Sequence, residues 1–272
     1  MSLYICATPI GNLSEASYRL IDVLKSVDVI AAEDTRHTRK LLNHYDIRTR
    51  LMHYSDHHEV KGLEEIIRLL KEGKDVALVS DAGMPLISDP GYELTQRLIE
   101  EGISWEVVSG PVALINALVL SGLPVHSFYF EGFLPRKKTE RRRKLASLRA
   151  LDSTLVFYEA PTRLGAMLED MWEIFGERQM ALCRELTKLH EEVVRLPLSE
   201  AVIKWKKETP KGELVLVVKG AGENKSESTI EEALNELLEM GFDKREAIDL
   251  VTSEKGVPKR EVYQAALRLE DK

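Results

Sequence analysis

Short, unbroken runs of apolar residues alternate with longer stretches of mixed polarity along the first part of the chain. Unbroken apolar runs are typical of strands that are buried on both faces of a parallel sheet. In the longer stretches the apolar residues recur at helical spacing. The runs that predict strands are Leu3–Thr8, Val29–Ala32, Met52–Tyr54, Val76–Ser80 and Trp105–Val108. This alternation predicts an α/β fold in which helices cover both faces of a parallel sheet.

The stretches between these runs predict helices. The first helix is expected to begin at Ser14 and Glu15, because apolar residues follow there at helical spacing. Further helices are predicted through Lys40–Leu42 and over Leu63–Leu70, Glu93–Glu101 and Val112–Leu120.

The second part of the chain adds another set of strands and helices. The predicted strands are Phe128–Phe130, Leu155–Tyr158, Gln179–Cys183 and Leu214–Val218, and the predicted helices are Leu164–Phe175 and Ile203–Lys207. The segment Arg184–Val194 is assigned to neither class. A polar linker follows Gly220, and the rest predicts the helices Ile230–Met240, Lys244–Ser253 and Lys259–Leu269.

The composition favours a globular, cytoplasmic protein. The 272 residues are 44% hydrophobic and carry a formal net charge of −7, which argues against wholesale binding to nucleic acid. Cys6 and Cys183 form neither a disulfide framework nor a zinc motif, as expected in a reducing compartment. Glycines and prolines interrupt the uncharged stretch Val107–Phe130, so that no membrane span is expected. The sequence contains no nicotinamide, P-loop, zinc-protease or esterase motif.

The most unusual segments follow directly after predicted strands. They are Thr8–Asn12 (TPIGN), Glu33–Lys40 (EDTRHTRK), Ser80–Gly91 (SDAGMPLISDPG) and Ser109–Pro111 (SGP). Ligands of open parallel sheets bind beyond the carboxyl ends of the strands. Asp81 supplies hydrogen-bond acceptors at such an end, and Gly83 permits a close approach of the backbone. For the first two segments an ordinary capped turn stays open as the alternative.

One segment carries a strong positive charge. Arg136–Lys144 contains seven basic residues and one acidic residue. A run of nearly one sign is typical of a surface that contacts phosphate groups, although a solvated helix without a partner is the alternative. The histidines His53, His57 and His58 match no metal-binding spacing, and no metal site is predicted.

Taken in order, these segments resemble one bacterial enzyme family. The matching phrases are LYICATPIGNL, IAAEDTRHTRKLL, VALVSDAGMPLISDPGYEL, SGPVALINALVLSGLP, FEGFLPRKKTERRRKL, LVFYEAPTRL, CRELTKLHEEVVR and PKGELVLVVKG, within residues 3–220. The family methylates the ribose 2′-hydroxyl of a cytidine in the decoding region of the small-subunit (16S) ribosomal RNA. It belongs to the superfamily with the tetrapyrrole-methylase fold.

The resemblance implies a two-lobed architecture. Residues 1–116 would form an N-terminal α/β lobe with a mainly parallel sheet, and residues 117–222 a second α/β lobe with a mixed sheet. Residues 223–272 would form a linker and a small helical C-terminal module. The resemblance also implies a homodimer and the cofactor S-adenosylmethionine, bound in the cleft between the lobes. The implied partner is 16S rRNA within the 30S subunit, with no DNA and no membrane.

Cofactor contacts carry over from the family to positions that match its motifs. The implied contacts are Pro9, Gly11, Asp81, Ala82, Gly83, Met84, Ile87, Val112, Ala113, Tyr158, Gly212 and Glu213. The family more often has Thr at position 84 and Ser at position 112. We therefore expect these two positions to contact the cofactor through the backbone.

The reaction and the RNA require further residues. A general base would take the proton of the ribose hydroxyl, and the sequence leaves several candidates open: Glu33, Asp34, Glu159, Glu185 and Lys188. Cations that match family motifs are the predicted phosphate contacts: Arg36, Arg39, Arg136, Lys137, Lys138, Arg141, Arg142, Arg163 and Arg184.

Three other functions compete with this one. A methyltransferase that acts on an anionic tetrapyrrole would use the basic segment to bind carboxylates, and methyl-transfer assays with both substrates separate the two. A non-catalytic RNA-binding protein with a retained cofactor pocket would bind RNA without turnover. A small-molecule enzyme would show no salt-dependent affinity for RNA.

Overall fold

The computed structural model describes residues 2–54, 59–222 and 228–270. His57, His58 and most of the polar linker therefore lie outside the described residues. The chain forms two compact units. The first unit runs to Asn116 and includes Leu186–His190, and the second contains Ala117–Glu185 and the chain from Glu191 onward.

The first unit contains a parallel sheet of five strands. The strands are β1 (Leu3–Cys6), β2 (Val29–Ala32), β3 (Arg50–His53), β4 (Val76–Val79) and β5 (Trp105–Val108). Their order is β3-β2-β4-β1-β5, and every pairing is parallel. The predicted α/β architecture with a parallel sheet is confirmed.

Helices cover both faces of this sheet. They are α1 (Tyr18–Ser26), α2 (Thr35–His44), α3 (Glu59–Lys71) and α4 (Tyr92–Glu100). A further helix, α5 (Ala113–Ser121), follows β5, and the division between the units falls within it. Successive residues of β2 point to opposite faces. Val29 packs in the cluster with α3 and α4, and Ile30 packs in the cluster with α1 and α2. Both faces of β2 are buried, which explains why its sequence is an unbroken apolar run.

The start of α1 differs from the prediction. Asn12 caps a single 3₁₀ turn over Leu13–Glu15, and the hydroxyl of Ser17 then accepts a hydrogen bond from the amide of Leu20 at 3.1 Å. The predicted beginning at Ser14 and Glu15 was wrong, because two capping side chains follow one another and the second one begins the α-helix.

The second unit contains a mixed sheet, as the resemblance implied. Its strands are β6 (Phe128–Phe133), β7 (Thr154–Glu159), β8 (Gln179–Arg184), β9 (Glu192–Pro197) and β10 (Leu214–Val218), in the order β6-β7-β10-β8-β9. The pairing of β6 with β7 is parallel, and the others are antiparallel. The sequence pattern missed β9. This strand lies at the edge of the sheet, and none of its side chains is fully buried.

Six helices complete the second unit among the described residues. They are α6 (Lys138–Leu148), α7 (Leu164–Phe175), α8 (Leu198–Lys207), α9 (Ile230–Glu239), α10 (Lys244–Lys255) and α11 (Lys259–Glu270). Leu237 of α9, Val251 of α10 and Val262 of α11 belong to the same buried cluster as Leu145 of α6 and Met171 of α7. The C-terminal helices therefore share the hydrophobic core of the second unit. No helix among the residues described is long and apolar enough to cross a membrane.

The basic segment folds as the start of α6, and two of its arginines point inward. Arg141 is buried, and its Nη2 lies 2.6 Å from Oδ2 of Asp170 on α7, whose side chain is 2% exposed. Arg142 lies 3.4 Å from the other oxygen of Asp170, pairs with Glu173 and donates to the carbonyl oxygen of Met240. Arg141 and Arg142 were predicted to contact RNA, but the structure uses both to attach α6 to its neighbours.

Removal of the Asp170 charge tests this account. In Asp170→Asn the buried guanidinium of Arg141 loses its carboxylate, and breaking such a buried pair costs about 3–5 kcal/mol of unfolding free energy. The matched control is Glu169→Gln, because Glu169 lies beside Asp170 on α7 and makes an exposed pair with Lys206 of α8. We expect the control to change stability by less than about 1 kcal/mol. Urea unfolding checks both values, and equal losses would contradict a central role for Asp170.

Candidate functional site

Hydrogen bonds join three loops at the carboxyl edge of the first sheet. The amide of Thr8, after β1, donates to the carbonyl oxygen of Gly83, after β4, at 2.8 Å, and the amide of Gly83 donates back at 3.1 Å. Oδ1 of Asp81 accepts the amide of Asp34, after β2, at 3.0 Å. The sequence motifs that follow β1, β2 and β4 therefore meet in one place.

Position 83 requires glycine. Gly83 has a φ of +84°, which an L-residue adopts only at a cost. A Cβ atom there would also lie 3.3 Å from Cγ2 of Ile10. The conformation and the close approach together allow the loop to pair with Thr8.

A pocket of about 330 Å³ opens at this edge. Four of the predicted site residues line it: Pro9, Gly11, Asp81 and Lys188. The other lining residues are Thr8, Leu13, His37, Thr38, Lys40, Leu41 and Ser80. None of them is predicted individually as a site residue from the sequence, although all except Leu13 and Leu41 lie in the unusual segments that follow predicted strands. Ala82, Gly83, Met84 and Ile87 continue the loop after Asp81, and Val112 and Ala113 stand at the start of α5.

A signal for part of the missed set existed in the sequence. Asp34 caps α2, and its position as the cap determines which residues of the helix share a face. His37 and Leu41 are one helical turn apart, so that both can face the same pocket. From the sequence, the motif Glu33–Lys40 is interpreted through its acids and bases, and helical spacing adds the face that carries His37 and Leu41.

Lys188 reaches the pocket from a distant part of the sequence. A Cβ atom on Gly11 would lie 2.5 Å from Cγ of Lys188, so that glycine makes room for this side chain. The adjoining residues Glu185 and Thr187 have φ values of +51° and +67°. Left-handed backbone at residues other than glycine is uncommon and concentrates at functional sites. This strained backbone is an independent sign of function, and no pattern in the sequence predicts it.

Asp34 and Glu33 lie next to one another but have different surroundings. Oδ1 of Asp34 accepts the amide of Arg36 at 2.8 Å, and its Oδ2 lies 2.9 Å from the guanidinium of Arg36. These contacts hold the pKa of Asp34 well below its usual range. Its carboxylate is therefore a weak base. Glu33 lines a separate small cavity with Tyr54 and Asp89.

The second unit brings another group of predicted residues to one edge of its sheet. β10 is antiparallel to both β7 and β8, so that Leu214 at its start pairs with Glu159 and with Arg184 at their ends. Glu213 and Glu185 exchange hydrogen bonds through their amides, at 2.9 and 3.0 Å. The residues at this edge are Tyr158, Glu159, Arg184, Glu185, Gly212 and Glu213.

Glu159 is a buried carboxyl group. Its side chain is 1% exposed, and Oε1 accepts the amide of Ala160 and pairs with Arg163 at 3.2 Å. Within the described chain, Oε2 is buried without a hydrogen-bond partner. Burial raises the pKa of Glu159, and the hydrogen bond from Ala160 and the charges of Arg163 and Arg141 offset only part of that rise.

The predicted phosphate contacts divide into two groups. Arg163 donates to the carbonyl oxygens of Leu134 and Pro135, and Arg184 pairs with Glu192 at 3.0 Å. Both arginines therefore have partners within the fold. The exposed cations of the set are Arg36, Arg39, Arg136, Lys137 and Lys138. In the part of the chain that the structure describes, no group of three or more histidine, cysteine or acidic side chains is placed to hold a metal ion.

Comparisons with known proteins agree with this architecture. The family model for tetrapyrrole (corrin/porphyrin) methylases matches residues 2–202. Uroporphyrin-III C-methyltransferase from Thermus thermophilus, solved in complex with S-adenyl homocysteine, has the same fold with a TM-score of 0.58. It is 18% identical, and the match covers 80% of this chain and 97% of that one.

Two curated relatives are much closer in sequence. Both are named ribosomal RNA small subunit methyltransferase I. The protein from Halalkalibacterium halodurans is 48% identical, over 96% of this chain and 93% of its own length. The protein from Thermotoga maritima is 49% identical, over 80% of this chain and 98% of its own length.

The fold and these matches define a methyltransferase of the class that uses S-adenosylmethionine. The chain belongs to the tetrapyrrole methylase family and, within it, to the group named ribosomal RNA small subunit methyltransferase I.

The raised pKa of Glu159 predicts a pH dependence of stability. At low pH the carboxyl group is neutral in the folded and the unfolded chain. The ordinary pKa of a glutamate carboxyl group is 4.5, and the folded chain raises it at Glu159. As the pH rises from 4.5 through the raised pKa, ionisation of Glu159 favours the unfolded chain. Wild-type protein should therefore lose stability relative to Glu159→Gln as the pH rises from about 4 toward neutrality. Thermal melts of both proteins across this range measure the difference.

Glu239→Gln is the control, because it removes one negative charge from an exposed position on α9. Its stability relative to wild type should stay nearly constant over the same range. A wild-type advantage over Glu159→Gln that grows with pH would contradict the assignment.

Proposed function

We propose that this methyltransferase transfers the methyl group of S-adenosylmethionine to the ribose 2′-hydroxyl of a cytidine in the decoding region of 16S rRNA. One observation carries the proposal: 48% identity to a protein named ribosomal RNA small subunit methyltransferase I, along nearly the whole of both chains. The exposed cations around Arg136 support an anionic, phosphate-bearing substrate. The 30S subunit is the proposed form of that substrate.

The residues at the edge of the first sheet fit the proposed cofactor. The Asp81 side chain lines the pocket and supplies carboxylate oxygens for an ammonium or hydroxyl donor. Gly83 keeps the loop that carries Asp81 paired with Thr8, in a left-handed backbone that glycine adopts without strain. The proposed contacts of the first unit are Pro9, Gly11, Asp81, Ala82, Gly83, Met84, Ile87, Val112 and Ala113. For the second unit the proposed contacts are Tyr158, Gly212 and Glu213.

The chemistry requires placement of one oxygen atom and removal of one proton. S-adenosylmethionine, when bound, supplies a methyl group on a sulfonium sulfur. The ribose 2′-oxygen forms a bond to the methyl carbon while the carbon–sulfur bond breaks, and the hydroxyl proton leaves to a base or to water. Holding the reacting oxygen in line supplies a large part of the rate enhancement.

Lys188 is one of the candidate bases, and its position favours a different role, that of a cation in contact with the ribose. It lines the pocket beside Asp81. Asp34 is held in its ionised form by Arg36 and is a weak base. Glu33, Glu159 and Glu185 stay as candidates for taking the proton. A positive group at Lys188 would stabilise the negative charge that develops on the 2′-oxygen.

A homodimer is proposed on the basis of exposed apolar side chains. β6 is an edge strand of the second sheet. Large apolar residues of β6 and of the chain that leads into it are exposed, and they are Val119, Val125, Phe128, Tyr129 and Phe133. Exposed apolar residues in such number are typical of protein interfaces. A second copy of the chain, paired across this surface, would cover it.

Methyl transfer tests the proposed reaction. We expect tritium from labelled S-adenosylmethionine to appear on one cytidine ribose of unmethylated 30S subunits, located by nuclease digestion, and no label on a porphyrinogen substrate. Lys188→Ala should lower kcat about 100-fold, because a donor that acts on developing charge is lost. Its affinity for S-adenosylmethionine, measured by calorimetry, should change little.

Lys206→Ala controls for the loss of an exposed lysine and should retain full activity. Label on the porphyrinogen instead of the RNA would favour the tetrapyrrole alternative. Full activity of Lys188→Ala would remove this residue from the site.

The proposed dimer is tested by light scattering. Val119→Asp places a charge on a side chain that is 69% exposed, so that the monomer should fold but should not pair. Ile203→Asp is the matched control, since Ile203 is 60% exposed on α8. We expect a monomer for the first variant and a dimer for the second. A wild-type monomer at micromolar concentration would contradict the proposal.

A further inference from the structure

The last three helices are an addition to the methyltransferase fold. The family match ends at residue 202, before α9 begins. The relative from Thermotoga maritima matches over 98% of its own length but over only 80% of this chain. A protein of the same group therefore lacks a counterpart for a fifth of this chain. The addition calls for a role other than the methyl transfer itself.

The helices α10 and α11 form a tight pair. α10 ends at Gly256, which has a φ of +64°, and Val257 and Pro258 complete the turn before α11. Two helices joined by such a short turn are the unit by which many proteins present one helix to nucleic acid. Val251 and Val262 are buried between these helices and the core of the second unit. α11 is therefore held firmly while its outer face meets solvent.

The outer face of α11 has an unusual composition. Five of its exposed residues follow at helical spacing, and we call them the α11 strip: Arg260, Tyr263, Gln264, Leu267 and Arg268. The strip contains two guanidinium groups, and the exposed acid Glu261 borders it. The ring of Tyr263 is 50% exposed, and the ammonium group of Lys244 lies 6.0 Å from its centre. Arg268 comes no closer than 4.0 Å to Glu231, its exposed neighbour.

Charge is segregated within these helices. α9 carries acidic residues and no basic one: Glu231, Glu232, Glu236 and Glu239. At the beginning of α11, Lys259 lies 2.5 Å from Asp249. Arg245 and Arg143 also act on this carboxylate, and together with the hydrogen bond from Lys259 they lower its pKa. Arg143 belongs to α6, so that the basic segment and the beginning of α11 act on the same carboxylate.

We propose that the α11 strip binds ribosomal RNA, with phosphates at Arg260 and Arg268 and an unpaired base stacked on Tyr263. Arginine is suited to phosphate, and exposed aromatic rings stack on unpaired bases of RNA. The strip would be a second RNA contact, apart from the nucleotide that is methylated. The inference rests on the proposed function, since it assumes an RNA substrate.

The test separates binding from chemistry. Arg260→Gln combined with Arg268→Gln should raise KM for 30S subunits about tenfold, leave kcat unchanged and lower the slope of log K against log salt by about two. Tyr263→Leu keeps an apolar side chain and should raise Kd for 30S subunits about tenfold through lost stacking. Lys204→Gln combined with Lys207→Gln removes two exposed charges from α8 and should change none of these values.

Each outcome decides a different question. If wild-type protein labels 30S subunits and the α11 variants match it in KM and salt dependence, the strip does not bind RNA. If the variants lose affinity for 30S subunits but not for protein-free 16S rRNA, the partner of the strip is a ribosomal protein and the inference is wrong. If wild type labels no RNA, the proposed function fails, and the affinity of wild type and variants for protein-free 16S rRNA still tests the strip.

Discussion

The pairing of Thr8 with Gly83 is the constraint on which the candidate site depends. It joins the loops after two neighbouring strands, β1 and β4, through two backbone hydrogen bonds. Each loop alone carries polar backbone groups that would otherwise need water. Once paired, they place Asp81 where its carboxylate can accept the amide of Asp34 and so fix the loop after β2. The pocket is the space that remains beside these joined loops.

Burial divides the positive charges of this acidic protein into two kinds. Arg141 and Arg149 are buried and hold helices together, Arg141 through Asp170 and Arg149 through Glu236 and Glu254 at 3.0 and 2.8 Å. A buried guanidinium must keep such partners, because the cost of leaving its charge unpaired is large. Exposed cations carry no such requirement and are available to phosphate groups. The same short segment therefore serves both the fold and the proposed RNA surface.

The sequence predicted the elements where one physical cause dominates. Continuous apolar runs predicted Val29–Ala32 and Leu214–Val218 with the bounds that the structure has, because strands that are buried on both faces need apolar residues on both. β9 was missed because Glu192 and Arg195 flank its apolar pair Val193–Val194, and none of its side chains is fully buried. The start of α1 was misplaced because Asn12 and Ser17 both cap, and the sequence does not rank two adjacent caps.

By itself, the sequence determined the fold class, the loops that carry the site and the family to which they belong, since each depends on residues close together in the chain. The tertiary structure decided which side chains share a surface. Lys188 lines the pocket with Asp81, and Arg141 turns inward to Asp170, through contacts between residues far apart in sequence. Burial and charge pairing depend on such distant neighbours, and for that reason they could not be predicted from spacing along the chain.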